Sequence, residues 1–210
     1  MFFQLIHTAN RFIFASMEKL ASLAEEYSII IEFIGFLLNC IYLILIIRKK
    51  NSAWLWSIGA CVIFGWICYL SQLYLQAILY LFYVVISLFG LLQWKRDTNN
   101  HTRTMSSRQH FQFILSCTIF GLSLGYLFQH KFNQNLPYLD GLITCFAIGT
   151  TLLIVSKQKA NWIYWIGINL TSIYLYLSQQ LYWLSFTSFV LLLFAIVGYR
   201  EWSKEEVTNP

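Results

Sequence analysis

In the stretch NWIYWIGIN, residues 161–169, Trp162, Trp165 and Asn169 are spaced i, i+3 and i+7, so on a helix two indoles and a carboxamide share one face. Tyr176 continues that stripe by another two turns. A second set, Tyr80, Tyr83 and Ser87, repeats the i, i+3, i+7 spacing, with Gln76 a turn earlier. Trp54 opens a third apolar segment, AWLWSIGAC, with Trp56, Ser57 and Cys61 close by. Aromatic faces attract a cation within about 6 Å, worth ~2 kcal/mol or more once desolvated. Hydroxyls and carboxamides add hydrogen bonds, so the pattern suits a flat cationic or neutral ligand. The same residues also suit an interfacial aromatic belt around Trp162, interhelical hydrogen bonding through Asn169, and ordinary packing of Tyr80 and Tyr83. Having all three of Trp162, Trp165 and Asn169 on one face favours the ligand-facing reading.

Groups that would do covalent or acid–base chemistry are scarce. Glu32 and Asp140 fall near the ends of apolar runs, and no Lys, Arg or His lies deep inside one. A retinal Schiff base and a proton relay through the membrane centre both need such a residue. The four histidines (His7, His101, His110, His130) stand apart from the five cysteines, which include no C-x-x-C pair. No metal or cofactor is expected, and catalysis is not expected either. The cysteines read as small buried hydrophobes.

The elements that must position these side chains are membrane helices. The chain of 210 residues is 58% hydrophobic and 11% charged, where a soluble domain carries about 25% charge. Continuous apolar runs of spanning length predict seven transmembrane helices at about Ser28–Ile47, Trp54–Leu70, Tyr74–Trp94, Phe111–Phe128, Tyr138–Val155, Asn161–Leu177 and Tyr182–Tyr199. A transmembrane barrel would instead show short alternating segments. Eleven of the fourteen basic residues (Arg48, Lys49, Lys50, Lys95, Arg96, Arg103, Arg108, Lys157, Lys159, Arg200 and Lys204) follow odd-numbered spans, leaving Arg11, Lys19 and Lys131 for the other side. The positive-inside rule then puts the N-terminus outside and the C-terminus in the cytoplasm. The charge of +5 is accounted for by this topology, and no nucleic-acid partner is expected. Ile6, Ile13, Met17, Leu20 and Ala24 recur at helical spacing, predicting an interfacial amphipathic helix within residues 1–27.

A shift of 108 positions aligns the first three spans with the last three. Ile46 meets Ile154, Lys49 meets Lys157, Trp54 meets Trp162, Gly90 meets Gly198 and Trp94 meets Trp202; Ile58–Gly59 meets Ile166–Gly167, Gln72–Leu73–Tyr74 meets Gln180–Leu181–Tyr182, and Glu32 meets Asp140. Two three-helix units of the same orientation need one unpaired helix between them. The expected fold is therefore an all-α, 3+1+3 membrane bundle with parallel repeats. Its parts are an N-terminal segment 1–27, repeat 1 at 28–94, a basic loop and linker helix at 95–137 (span 111–128), repeat 2 at 138–202 and a cytoplasmic tail 203–210. In bundles of this kind the ligand site lies near the midplane, between the repeats. At ~1.5 Å per residue Asn169 is about 12 Å along the helix from Asn161, which puts its amide near the centre of the bilayer.

The W-x-x-W-x-x-x-N motif at Trp162, Trp165 and Asn169, the segment QLYLQAILYLFYVVISLFGLLQW (72–94) and the segment LYWLSFTSFVLLLFAIVGYREW (181–202) together resemble the Pnu family of bacterial vitamin transporters over about residues 28–203. The resemblance implies a SWEET-like 3+1+3 bundle in the cytoplasmic (inner) membrane and assembly as a homotrimer. It implies facilitated diffusion of an unphosphorylated vitamin, foremost nicotinamide riboside, trapped afterwards by a cytoplasmic kinase. Members that carry thiamine share the requirement for a flat ring cation with a hydroxyl tail, so thiamine stays the alternative cargo. A sugar facilitator and a seven-helix receptor are more remote readings. The expected cargo contacts are Trp162, Trp165, Asn169 and Tyr176 with Tyr80, Tyr83, Ser87, Gln76 and Trp54.

Overall fold

A leucine- and isoleucine-rich chain with only two prolines satisfies its backbone internally as helix, the one open-ended structure a bilayer tolerates. The computed structural model describes residues 28–70, 74–97, 101–132 and 136–208. Over these the chain forms seven helices: α1 (Ser28–Ile47), α2 (Ala53–Leu70), α3 (Tyr74–Arg96), α4 (Ser107–Phe132), α5 (Pro137–Val155), α6 (Ala160–Ser178) and α7 (Tyr182–Thr208). Each coincides with an apolar run, extended by a few polar residues at its ends. The amphipathic helix expected within residues 1–27 lies outside the described residues. Five helices, α2, α3, α4, α5 and α7, are long and apolar enough to cross a membrane, and the described part of α1 adds a shorter apolar stretch, Phe33–Ile47. α6 has the length, 19 residues, and carries Asn161, Asn169 and three tyrosines; it is not among those five.

Three helix ends are closed by the same device. Lys49, Lys157 and Gln180 adopt left-handed φ values of 51°, 53° and 60°. After α1, Lys50 N–H bonds to Leu45 O and Lys49 N–H to Ile46 O, both at 2.9 Å; after α5, Gln158 N–H bonds to Leu153 O and Lys157 N–H to Ile154 O, again at 2.9 Å. This paired pattern ties off carbonyls that the helix leaves open and is usually built on glycine. A side chain in that conformation costs roughly 1–2 kcal/mol, and the lysines' surroundings offset it. Lys49 Nζ lies 5.4 Å from the Trp202 ring and Lys157 Nζ 5.3 Å from the Trp94 ring.

The chain divides into two compact units. Unit 1 comprises Met1–Leu43 and Ser52–Leu91, and unit 2 comprises Ile44–Asn51 and Leu92–Pro210. In unit 1, fully buried Trp54 of α2 lies flat against Gly90 of α3, where an added Cβ would come within 2.6 Å of the indole. In unit 2, Trp162 of α6 meets Gly198 of α7 with the same 2.6 Å clearance, and Trp202 packs edge-on to Trp162 at 5.4 Å. Two tryptophans cap helix ends in unit 2: Trp94 Nε1 donates to Val155 O at 2.9 Å and Trp202 Nε1 to Ile47 O at 3.0 Å. Lys157, 1% exposed, donates to Asp97 O at 3.0 Å, and its ammonium stands 3.7 Å from the Asp97 carboxylate. Burial lowers the Lys157 pKa, and the Asp97 charge opposes that shift. Arg103 bridges to the same turn, accepting from Lys159 N–H and donating to Lys157 O at 2.9 Å each.

α4 joins α5 through a glycine contact. Gly121 and Gly125, spaced as G-x-x-x-G, approach Gly141, where a Cβ would sit 2.5 Å from Gly121 O. Close backbone approach of this kind gives membrane helices the packing that the hydrophobic effect cannot supply between them.

Gly198→Ala is expected to lower stability by about 1–3 kcal/mol through overpacking against Trp162. Trp202→Phe should cost about 1 kcal/mol through the lost carbonyl cap. Denaturant titration of detergent-purified protein followed by fluorescence measures both, and unchanged midpoints would remove these contacts from the account.

Candidate binding site

On α6 the tryptophans of the motif separate. Trp162 is 1% exposed and its ring is enclosed by Gly198 and Trp202; protein occupies the face that the sequence offers to a ligand. Trp165, one turn further along, is half-buried. Its carbonyl accepts from Asn169 Nδ2 at 2.8 Å, and Asn169 is 4% exposed. That bond to the preceding turn fixes the carboxamide's rotamer. Ser172, 5% exposed, continues the stripe between Asn169 and Tyr176, which is half-buried. Ser172 was not among the expected residues, although its i+3 spacing from Asn169 was a signal for it.

In unit 1, Trp54 mirrors Trp162: its ring too is filled by a glycine face, with Tyr42 at a centroid distance of 6.1 Å. Ser87 is 2% exposed and shares a 2.8 Å hydrogen bond with Ser57, so each hydroxyl answers the other across α2 and α3. Tyr80 stacks on Phe64 at 5.6 Å and meets Tyr83 edge-on at 6.4 Å. Unit 1 therefore gathers Trp54, Tyr80, Tyr83 and Ser87 around the α2–α3 contact. The side chain of Gln76 lies outside the described residues.

A groove of about 340 Å³ runs along α5 and α6, lined among others by Phe146, Tyr164, Gly167 and Thr171. It holds none of the expected residues. Tyr164, Gly167 and Thr171 lie roughly 100° or more around α6 from Trp165. Tyr164 instead anchors α4, with its hydroxyl 2.7 Å from His110 Nδ1 and its ring 4.5 Å from that of Phe113. Sequence spacing gave no hint of that inter-helix pair. Among the described residues no cluster of His, Cys, Asp or Glu is arranged to hold a metal ion.

The sequence matches the nicotinamide mononucleotide transporter family over residues 29–204. The chain belongs to that family. Family relatives include the nicotinamide riboside transporter PnuC of Escherichia coli (strain K12), 21% identical over 201 residues, covering 82% of this chain and 84% of the relative. The protein of the same name from Neisseria mucosa is 23% identical over 175 residues, covering 75% and 65%. The crystal structure of the vitamin B3 transporter PnuC aligns with a TM-score of 0.67 at 18% identity, covering 89% of this chain and 86% of that one. The fold is therefore that of a multi-pass membrane transporter, as the apolar runs and the resemblance led one to expect.

The serine pair gives a test of unit 1. Ser57→Ala and Ser87→Ala should each cost about 1–3 kcal/mol by leaving one buried hydroxyl without its partner, while the double variant recovers most of the loss. A double-mutant cycle on unfolding midpoints reads this directly; strict additivity would sink it.

Proposed function

We propose that the protein carries nicotinamide riboside across the bacterial cytoplasmic membrane by facilitated diffusion, with Trp165 stacking on the pyridinium ring and Asn169 bonding its carboxamide or a ribose hydroxyl. The observation that carries the reading is the contrast on α6. Trp162 is enclosed by protein, whereas Trp165 is half-buried, one turn from a buried amide. Trp54 and Trp162 are then packing residues, and within unit 2 the cargo contacts narrow to Trp165, Asn169 and Tyr176.

A mononucleotide is disfavoured by charge. Among the described residues, Lys, Arg and His occur only towards helix ends and in connections, and a phosphate deep in a bilayer needs a cationic partner. Relatives named for nicotinamide riboside favour that cargo over thiamine, which no comparison supports.

The parallel 3+1+3 repeat belongs to the same proposal. It is supported by matched geometry at an offset of 108: Trp54 on Gly90 and Trp162 on Gly198, left-handed Lys49 and Lys157, and the indole caps of Trp94 and Trp202. A cytoplasmic C-terminus follows from the basic residues gathered at these turns. Trimeric assembly and trapping by a cytoplasmic kinase are carried over from the family resemblance alone.

Binding of nicotinamide riboside to purified protein tests the assignment. Trp165→Ala and Asn169→Ala should each weaken it at least about tenfold, the scale of one desolvated cation–π or hydrogen-bond contact. Wild-type affinity in Trp165→Ala would overturn the stacking role, and tighter binding of thiamine than of the riboside would overturn the cargo.

A further inference from the structure

Asp140 has no part in the packing or contacts above, yet it is the sole charged residue in the sequences of α5 and α6. It stands in the first turn of α5, behind Pro137 and left-handed Leu136, and is half-buried. Its neighbour Gly141 is locked against Gly121 and Gly125, so the backbone that carries the carboxylate has little freedom. Charged side chains at membrane depth are costly and mark ligand or ion paths more often than packing.

Its position relates it to the stripe on α6. α5 and α6 run antiparallel about the turn at residues 156–159. Asp140 is about 23 Å from that turn along α5 and Tyr176 about 24 Å along α6. The two therefore stand at one height on neighbouring helices. The Trp165–Asn169–Ser172–Tyr176 stripe therefore runs from an aromatic ring towards a negative charge, at the end of the hairpin remote from the basic Lys157 turn.

We propose that Asp140 is the charge-selecting residue of this transporter: it favours entry of a cationic ring along the α6 stripe, leaves a neutral analogue unassisted and repels an anionic one. The inference rests on the reading of that stripe as the cargo path. A pyridinium nucleoside carries a permanent positive charge, its dihydropyridine form is neutral, and its 5′-phosphate is anionic, so three compounds of nearly one shape separate charge from fit.

Uptake of all three is measured in proteoliposomes containing wild-type protein, Asp140→Asn, Asp140→Glu and Trp165→Ala. Asp140→Asn is expected to raise KM for the cation about tenfold, the scale of one partly screened charge contact, to leave KM for the neutral form unchanged, and to flatten the salt dependence of cation uptake. Asp140→Glu should restore the preference for the cation, while Trp165→Ala should weaken both ring forms. An equal loss of cation and neutral uptake in Asp140→Asn, or no change in either, overturns the proposal and makes Asp140 a structural residue of the α5 start. Failure of the underlying cargo reading looks different: wild-type protein then carries neither ring form, and both proposals fall together.

Discussion

A broad indole lying on a glycine sets the spacing of the helices in both units. Trp54 and Trp162 are each almost wholly enclosed, and the helix opposite must offer no Cβ, because 2.6 Å is closer than any side-chain atom can stand. In a bilayer the hydrophobic effect does not drive helices together, so close fit of this kind contributes most of the attraction. The consequence for function is one of exclusion. Once these rings are committed to α3 and α7, of the two tryptophans on α6 only Trp165 keeps exposed surface, which is why the proposed cargo contact falls on it.

The turns beyond those rings depend on the same logic. A lysine in a left-handed conformation is an unfavourable end for a helix, and glycine would relieve it. Lys49 and Lys157 are retained where a tryptophan ring lies about 5 Å from each ammonium and where a tryptophan N–H caps the carbonyl of Ile47 or Val155. Charge, ring and cap act together in a small volume. Stiff, charged turns of this kind hold helix ends in place while leaving the polar stripe within the helices available for binding.

The helices could be read from the sequence because a bilayer leaves few alternatives: an apolar run of about twenty residues with no proline becomes a helix, and all seven runs did. Two of the pairs that the offset of 108 aligns have matching contacts: Trp54 with Gly90 and Trp162 with Gly198 are partners in space as well as letters in register. What periodicity could not separate was Trp162 from Trp165. Both lie on one face, and only the position of Gly198, 36 residues away in sequence, decides that one ring is enclosed. Ser87 shows the same limit, since its hydroxyl is answered by Ser57 on another helix. Tyr164 with His110 shows it too, as a long-range pair without a spacing rule.

The scarcity of mid-helix ionisable groups bears on energetics as well as on cargo. In the proposed reading the carrier couples to no ion, and such a carrier can equilibrate its cargo but cannot pump it. For a neutral cargo that would allow no accumulation. For a cation the membrane potential itself does work, about 2.3 kcal/mol per elementary charge per 100 mV, which is roughly a fiftyfold concentration ratio at an inside-negative potential of that size. A permanently charged pyridinium nucleoside is thus a cargo for which an uncoupled carrier suffices. The same physics demands that the path hold no fixed positive charge and tolerate a negative one only near an end, where it attracts without trapping. Asp140, in the first turn of α5 and at the end of the hairpin opposite the Lys157 turn, meets that requirement in the proposed path.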